Sequence, residues 1–272
     1  MDWARVICIG ILWLCIKAVF AQSISGEGEC LPAGKFTLCQ NLWAADVGVG
    51  SQTSTILKVE GRSTSWSTQY TWSQNPNQVK SFANVISDVA KGMQVVDIVS
   101  APTSWTWAYT SKSPDTRANI AYDIWTGILP AGNPASSASS YELMVWLAGM
   151  DKVQPLGVVV TSNISLAGYT WNLWKGAHKT WQVLSFVSAE GELSAFNADL
   201  NEFLTFLVEN QGFNSSQYIQ AIQAGTEPFT GAATLVTSKY TLEISKKIVT
   251  PVQSSGAQKI LPFWHRIVVR LS

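Results

Sequence analysis

Charge is scarce in this chain. Lys, Arg, Asp and Glu make up 13% of 272 residues, and 18 bases balance 18 acids. The balance is uneven along the sequence. Residues 22–244 carry 11 bases against 17 acids, whereas 245–272 carry Lys246, Lys247, Lys259, Arg266 and Arg270 and no acid. A mildly acidic body is a poor match for a phosphate backbone, so nucleic acid is not expected as a partner. Only two histidines occur. His178 has no companions at ligand spacing, and no zinc, calcium or phosphate-loop pattern is present, so neither metal nor cofactor is expected. No apolar run reaches the about 20 residues that a membrane span needs. Internal repeats and low-complexity tracts are also missing.

The longest apolar run opens the chain. Arg5 precedes Val6-Ile7-Cys8-Ile9-Gly10-Ile11-Leu12-Trp13-Leu14-Cys15-Ile16, and Val19-Phe20-Ala21 follows. This pattern reads as a secretory signal, residues 1–21, cleaved after Ala21; a membrane anchor is the rival reading. The expectation is a secreted, extracellular protein with no membrane partner after cleavage. Cys8 and Cys15 then leave with the signal. Cys30 and Cys39 remain, and in an oxidising compartment their spacing permits a bridge without requiring one. Asn163-Ile164-Ser165 and Asn214-Ser215-Ser216 are possible glycan acceptors.

What the chain does have is tryptophan, 13 of them, with many β-branched residues in short apolar runs broken by turn residues. That composition predicts an all-β fold. Candidate strands fall at 36–43, 55–60, 65–72, 94–100, 104–109, 119–125, 141–147, 157–161, 169–175, 180–187, 219–225 and 239–244. Strands this short and this frequent suggest a sandwich or barrel. One helix is expected, because Leu200, Phe203, Leu204, Leu207 and Val208 recur at helical spacing. Asn197 is placed to cap it, Asp199 suits its first turn and Gly212 its end. It should brace the outside of a sheet.

Two glutamates stand in apolar frames: Glu142 in Tyr141-Glu142-Leu143-Met144-Val145-Trp146-Leu147, and Glu227 in Gly225-Thr226-Glu227-Pro228-Phe229-Thr230-Gly231. An ionisable group between apolar runs is costly unless it is used or paired. In a strand, alternate side chains share a face. Glu142, Met144 and Trp146 then line one face, a suitable floor for a sugar. Tyr141, Leu143, Val145 and Leu147 make an ordinary buried face. A strand edge where Glu142 simply meets solvent fits this segment equally well. Two such carboxylates among many tryptophans suggest glycoside hydrolysis, which commonly uses one carboxylic acid and one carboxylate.

These two segments resemble the nucleophile strand and the acid/base motif of glycoside hydrolase family 12, whose members include secreted fungal endo-β-1,4-glucanases and xyloglucanases. Asn41-Leu42-Trp43, Val79-Lys80-Ser81-Phe82, Arg117-Ala118-Asn119-Ile120-Ala121-Tyr122-Asp123 and Ser185-Phe186-Val187 extend the likeness in family order. The resemblance implies a jelly-roll sandwich of two curved antiparallel sheets with one helix, spanning 22–244, and a basic tail of unknown role at 245–272. It implies a monomer that cleaves internal bonds of a β-1,4-glucan polysaccharide with retention. A non-catalytic glucan binder on the same fold is the alternative.

By the same resemblance, Glu142 is the nucleophile and Glu227 the general acid/base. Asp123 is the third acid, expected to hydrogen-bond Glu142. Asn41, Trp43, Asn119, Met144, Trp146 and Phe229 line the cleft, with Trp43 and Trp146 as sugar platforms. The remaining tryptophans, Trp125, Trp174 and Trp181 among them, are assigned mostly to the core. Retention calls for carboxyl groups roughly 5–5.5 Å apart, and an ionised Glu142 should then hold Glu227 protonated. One departure concerns the cysteines. The family often bridges a cysteine near Cys30 to a loop where this chain has Thr53, so either Cys30 pairs with Cys39 or both thiols are free.

Overall fold

The computed structural model describes residues 22–247. The expected signal, 1–21, and most of the expected tail, 248–272, lie outside the described residues. In chain order the strands are β1 (Gln22–Ile24), β2 (Cys30–Ala33), β3 (Phe36–Cys39), β4 (Val49–Glu60), β5 (Ser63–Ser73), β6 (Ala83–Ser87), β7 (Ile98–Ser100) and β8 (Pro102–Lys112). They continue with β9 (Arg117–Gly127), β10 (Ser139–Gly149), β11 (Val158–Leu166), β12 (Tyr169–His178), β13 (Trp181–Ser188) and β14 (Ala195–Asp199). Helix α1 (Leu200–Asn210), then β15 (Tyr218–Leu242) and β16 (Ser245–Lys246), complete the described chain.

Two layers emerge from the pairing. One runs β1-β4-β5-β15-β8-β14 and the other β2-β3-β6-β15-β9-β10-β13-β12-β11. All pairs are antiparallel except β10 with β13, which is parallel. The 25-residue β15 belongs to both layers. Its first half pairs β9 as far as Thr230↔Arg117, and from Gly231↔Trp72 it pairs β5. The sequence reading had split it into strands at 219–225 and 239–244. Gly231 makes the continuous strand possible. Its φ is +102°, and a Cβ there would meet Thr116 Cα at 2.5 Å, so only glycine fits the bend.

Strand alternation fills the space between the layers. Ile120, Tyr122 and Ile124 of β9 and Leu143, Val145 and Leu147 of β10 all point into the main core. Trp66, Trp105, Tyr122 and Tyr240 interlock there, Trp105 meeting Tyr122 edge-on at 5.1 Å and Trp66 meeting Tyr240 at 5.7 Å. Full burial of one such large side chain is worth roughly 1.5–3 kcal/mol. Helix α1 covers the far side of the cleft layer. Phe203 packs edge-on against Trp171 of β12 at 5.1 Å and Phe186 of β13 at 5.0 Å. Its N-cap is Asp199, whose Oδ1 accepts from the Asn201 and Ala101 amides. The expected cap, Asn197, instead belongs to β14, because pairing with β8 holds 195–199 extended.

Cys30 and Cys39 are cross-strand partners in the β2–β3 hairpin and form a disulfide. Directly after it, Gln40 and Gln52 are buried and satisfy each other. The Gln40 side chain donates to the Gln52 carbonyl, that of Gln52 donates to the Gln40 carbonyl, and Ser54 donates to Gln40 Oε1. This anchors the turn that follows. The strand expected at 36–43 therefore ends at Cys39, and Asn41 turns the chain with φ +45°. The other end also differs in extent. The sequence reading placed the domain boundary at 244, yet β16 pairs with β7, and the Lys247 amide donates to the Asp97 carbonyl at 2.9 Å.

Candidate active site

The opposite face of β9, β10 and the first half of β15 is the face of the carboxylates. A single row crosses the sheet through Gln223, Asp123, Met144, Ser185 and Trp174, each the register partner of the next. One step along, Glu142 sits opposite Trp125 and Val183. Toward the other end, Glu227 pairs with Asn119. The alternation read from the sequence around Glu142 thus holds: Met144 and Trp146 join Trp125, Trp181, Val183, Val153 and Phe229 in a small apolar cluster separate from the main core.

Asn119 grips Glu227 at two points. Its side-chain amide donates to Glu227 Oε2, and its Oδ1 accepts from the Glu227 amide at 3.1 Å. Thr226 closes the arrangement by donating to the Asn119 carbonyl at 2.7 Å. The Asn119 side chain is fully buried, so a residue expected to line the cleft is found holding the acid. Glu142 is held from the other side, where the Trp181 indole N–H donates to its Oε2 at 2.9 Å. Both glutamates stay partly open to solvent.

Burial sets the electrostatics. Loss of water pushes Glu227 up to about 8; the Asn119 hydrogen bond opposes this and the Glu142 charge adds to it. Burial pushes Glu142 up to about 7, opposed by the Trp181 hydrogen bond. The expected cause, repulsion by Glu142, is therefore real at Glu227 but second to desolvation. Asp123 is also driven well above the ordinary carboxylate range, first by burial and then by Glu142 and Glu227. The expected hydrogen bond from Asp123 to Glu142 does not form, and Asp123 Oδ1 is buried without a partner. Asp123 is in register with Met144, one step from Glu142, which puts it beside rather than against that carboxylate.

The aromatic assignments divide. Trp43 is 54% exposed. It rides on the turn after β3 rather than on a strand. That turn is fixed because the Phe82 amide donates to the Asn41 carbonyl, the Ala44 amide to the Lys80 carbonyl and the Lys80 amide to the Pro228 carbonyl. The turn carrying Asn41 and Trp43 is thereby tied to Pro228, next to Glu227. Trp146 is only 2% exposed. It faces the cleft side but is covered within the apolar cluster, and its indole N–H points at Met144 Sδ, 3.4 Å away. The free protein therefore offers no platform at Trp146. Met144 and Phe229 are likewise nearly covered.

Sequence reasoning missed Trp125, Trp174, Trp181 and Gln223. Trp181 and Trp125 meet edge-on at 5.3 Å, and the Trp125 indole donates to Gln223 Oε1 at 3.1 Å. Trp174 is half-buried in the same row as Asp123. A usable signal existed for two of them: Trp125 lies two residues from Asp123, and Gln223 four from Glu227, so strand alternation puts them on the acid face. No such signal existed for Trp181, whose face depends on the pairing of β13 with β10. Among the described residues, no group of three or more His, Cys, Asp or Glu is arranged to hold a metal ion.

Known proteins match this arrangement. Residues 34–245 match glycosyl hydrolase family 12. A "Xyloglucan-specific endo-beta-1,4-glucanase A" of Emericella nidulans is 39% identical over 224 residues, covering 81% of this chain and 90% of that protein. An "Inactive glycoside hydrolase XLP1" of Phytophthora nicotianae is 33% identical over 241 residues, covering 87% of this chain and 98% of that protein. Among solved structures, endoglucanase 3 of Trichoderma harzianum superposes with a TM-score of 0.78 at 32% identity, covering 84% of this chain and 99% of that one. On the family match, these similarities and the shared β-jelly roll, the chain belongs to glycosyl hydrolase family 12.

Proposed function

We propose that the protein is a retaining endo-β-1,4-glucanase acting on β-glucan, xyloglucan included, with Glu142 as nucleophile and Glu227 as acid/base. The observation that carries this reading is the pair of glutamates on one solvent-reached sheet face, each held by its own donor. Burial and the Glu142 charge both push Glu227 toward its protonated form, so it can carry the proton when Glu142 ionises. Asn119 occupies Glu227 Oε2 and leaves Oε1 to carry that proton. In the first step a Glu142 oxygen bonds the anomeric carbon, the bond to the leaving sugar breaks, and its oxygen takes the Glu227 proton. In the second step Glu227 takes a proton from water, whose oxygen displaces Glu142. Asp123, driven toward its neutral form, keeps a second negative charge away from Glu142. Exposed Trp43 supplies a stacking face for a pyranose at the Glu227 end.

A non-catalytic glucan binder remains the second reading, since one relative is named inactive. All three acids are present here, which favours hydrolysis. New reducing ends released from soluble β-glucan and xyloglucan, with the β-anomer appearing first by NMR, test the proposal. Absence of product on every β-1,4-glucan, with tight glucan binding, would establish the binder.

The proposal extends to the cell. Residues 1–21 act as an export signal, the protein works outside the cell as a monomer, and 22–244 with the β16 strand that follows form the catalytic unit. No helix among the described residues is long and apolar enough to cross a membrane. N-terminal sequencing of the secreted protein and its mass in solution test these statements.

A further inference from the structure

We propose that Trp181 is the positioning residue of the nucleophile: its indole N–H fixes one oxygen of Glu142 and so aims the other at the anomeric carbon. This rests on Glu142 being the nucleophile, as proposed above.

The geometry starts with the parallel β10–β13 pair. Glu142 is in register with Val183, and Trp181 lies two residues before Val183, on the same face. That brings the indole N–H to 2.9 Å from Glu142 Oε2. Its neighbours confine the ring. One side meets Trp125 edge-on at 5.3 Å, and Trp125 is itself pinned by Gln223. The hairpin tip adds further contacts, with the His178 ring at 5.2 Å and Lys179 Nζ 5.8 Å from the centre of the indole. Trp181 is almost wholly buried, so water does not compete for its donor.

The chemistry needs such a donor. An indole N–H only donates, so it can never take a proton from Glu142 or give one up. With Oε2 occupied, Oε1 is the oxygen left to attack. Its lone pair forms the bond to the anomeric carbon, and Oε2 becomes the ester carbonyl, which still accepts the same hydrogen bond. When water displaces the ester, the returning negative charge finds the donor already in place. This is fixed-dipole stabilisation of a charge that comes and goes. The other charged or titratable groups around Glu142 and Trp181 are Asp123 from β9, Glu227 farther along from β15, and His178 and Lys179 from the hairpin tip. None of them hydrogen-bonds Glu142, whose side-chain donor is Trp181.

The test uses Trp181→Phe, and a site-specific benzothienylalanine at 181, which keeps the shape of tryptophan but has sulfur in place of N–H. The second variant keeps the test decisive if the first folds poorly. Folding is checked by thermal unfolding. Rates are measured on soluble β-glucan across pH, and labelling of Glu142 by a 2-deoxy-2-fluoro glucosyl donor is followed by mass. Loss of a hydrogen bond to a charged group should lower kcat by about 10- to 100-fold, with little change in KM. The hydrogen bond favours the charged form of Glu142. Its loss should therefore move the acidic limb of the pH profile to higher pH and slow the labelling. An unchanged acidic limb and labelling rate in a folded variant would overturn the role of Trp181. Full activity in Glu142→Ala would instead overturn the functional reading beneath it.

Discussion

The two faces of β9, β10 and the first half of β15 are built from the same strands and have opposite tasks. On the inner face Ile120, Tyr122, Ile124, Leu143, Val145 and Leu147 are all fully buried in a mainly apolar core that holds no ionisable carboxylate, and the Tyr122 hydroxyl is paired with Thr103. The outer face holds Asp123, Glu142 and Glu227, all with raised pKa, and an orphaned Asp123 oxygen. One face therefore supplies stability and the other consumes it. Buried carboxyl groups without full partners are destabilising, and a cleft that must bind and protonate a sugar cannot satisfy them in advance. A change of one residue along β10 should switch the consequence of mutation from folding to chemistry.

The largest effect that separates the faces is catalytic. Glu142→Ala and Glu227→Ala should each lower glucan hydrolysis by at least about 10³-fold, while circular dichroism and the unfolding temperature stay near wild type. Azide should rescue Glu227→Ala on substrates with good leaving groups, because it needs no base. Activity near wild type in either variant would remove that residue from its role.

Next in size is the neighbouring inner position. Leu143→Ala should cost about 2–5 kcal/mol of stability by opening a cavity, measured by denaturant unfolding. Turnover per folded molecule should hardly change. If activity fell with the fold intact, the two faces would be coupled and the comparison would fail.

Trp43→Ala should weaken glucan binding by about 1–3 kcal/mol, the scale of a lost stacking face, and leave thermal unfolding almost unchanged because the ring is exposed. Unfolding at a much lower temperature, with binding intact, would make Trp43 a structural residue.

A further effect is a pH dependence of stability. Burial pushes the Glu227 carboxyl of the folded protein up to about 8, well above the ordinary glutamate range. The folded state therefore holds a proton that the unfolded chain has lost, and stability falls as pH rises from that range to about 8. Glu227→Gln cannot ionise. Its unfolding temperature relative to wild type should rise between about pH 5 and about pH 8, and a difference that stays flat across that range would contradict the raised pKa.

The sequence carried the alternation of β10, the all-β class, the helix and both glutamates, because each is a local pattern that a strand or helix period makes visible. The phase of Glu142, Met144 and Trp146 follows from the two-residue repeat alone. Exposure did not follow. Trp43 and Trp146 looked alike as sequence, yet one stands on a turn in solvent and the other is buried within the apolar cluster that includes Val153 and Met144. Asn119 read as a cleft wall, and only the register of β9 against β15 shows that it holds Glu227.

What the sequence determined by itself was which side chains share a face, since that depends on the backbone repeat and on nothing distant. What only the tertiary structure decided was which strands stand side by side. The parallel contact of β10 with β13 brings Trp181 to Glu142 across 39 positions of sequence, and the contact of β9 with β15 brings Asn119 to Glu227 across 108. The raised pKa values come from the same source. Burial is a property of the assembled sheet, and no single strand carries it in its own pattern.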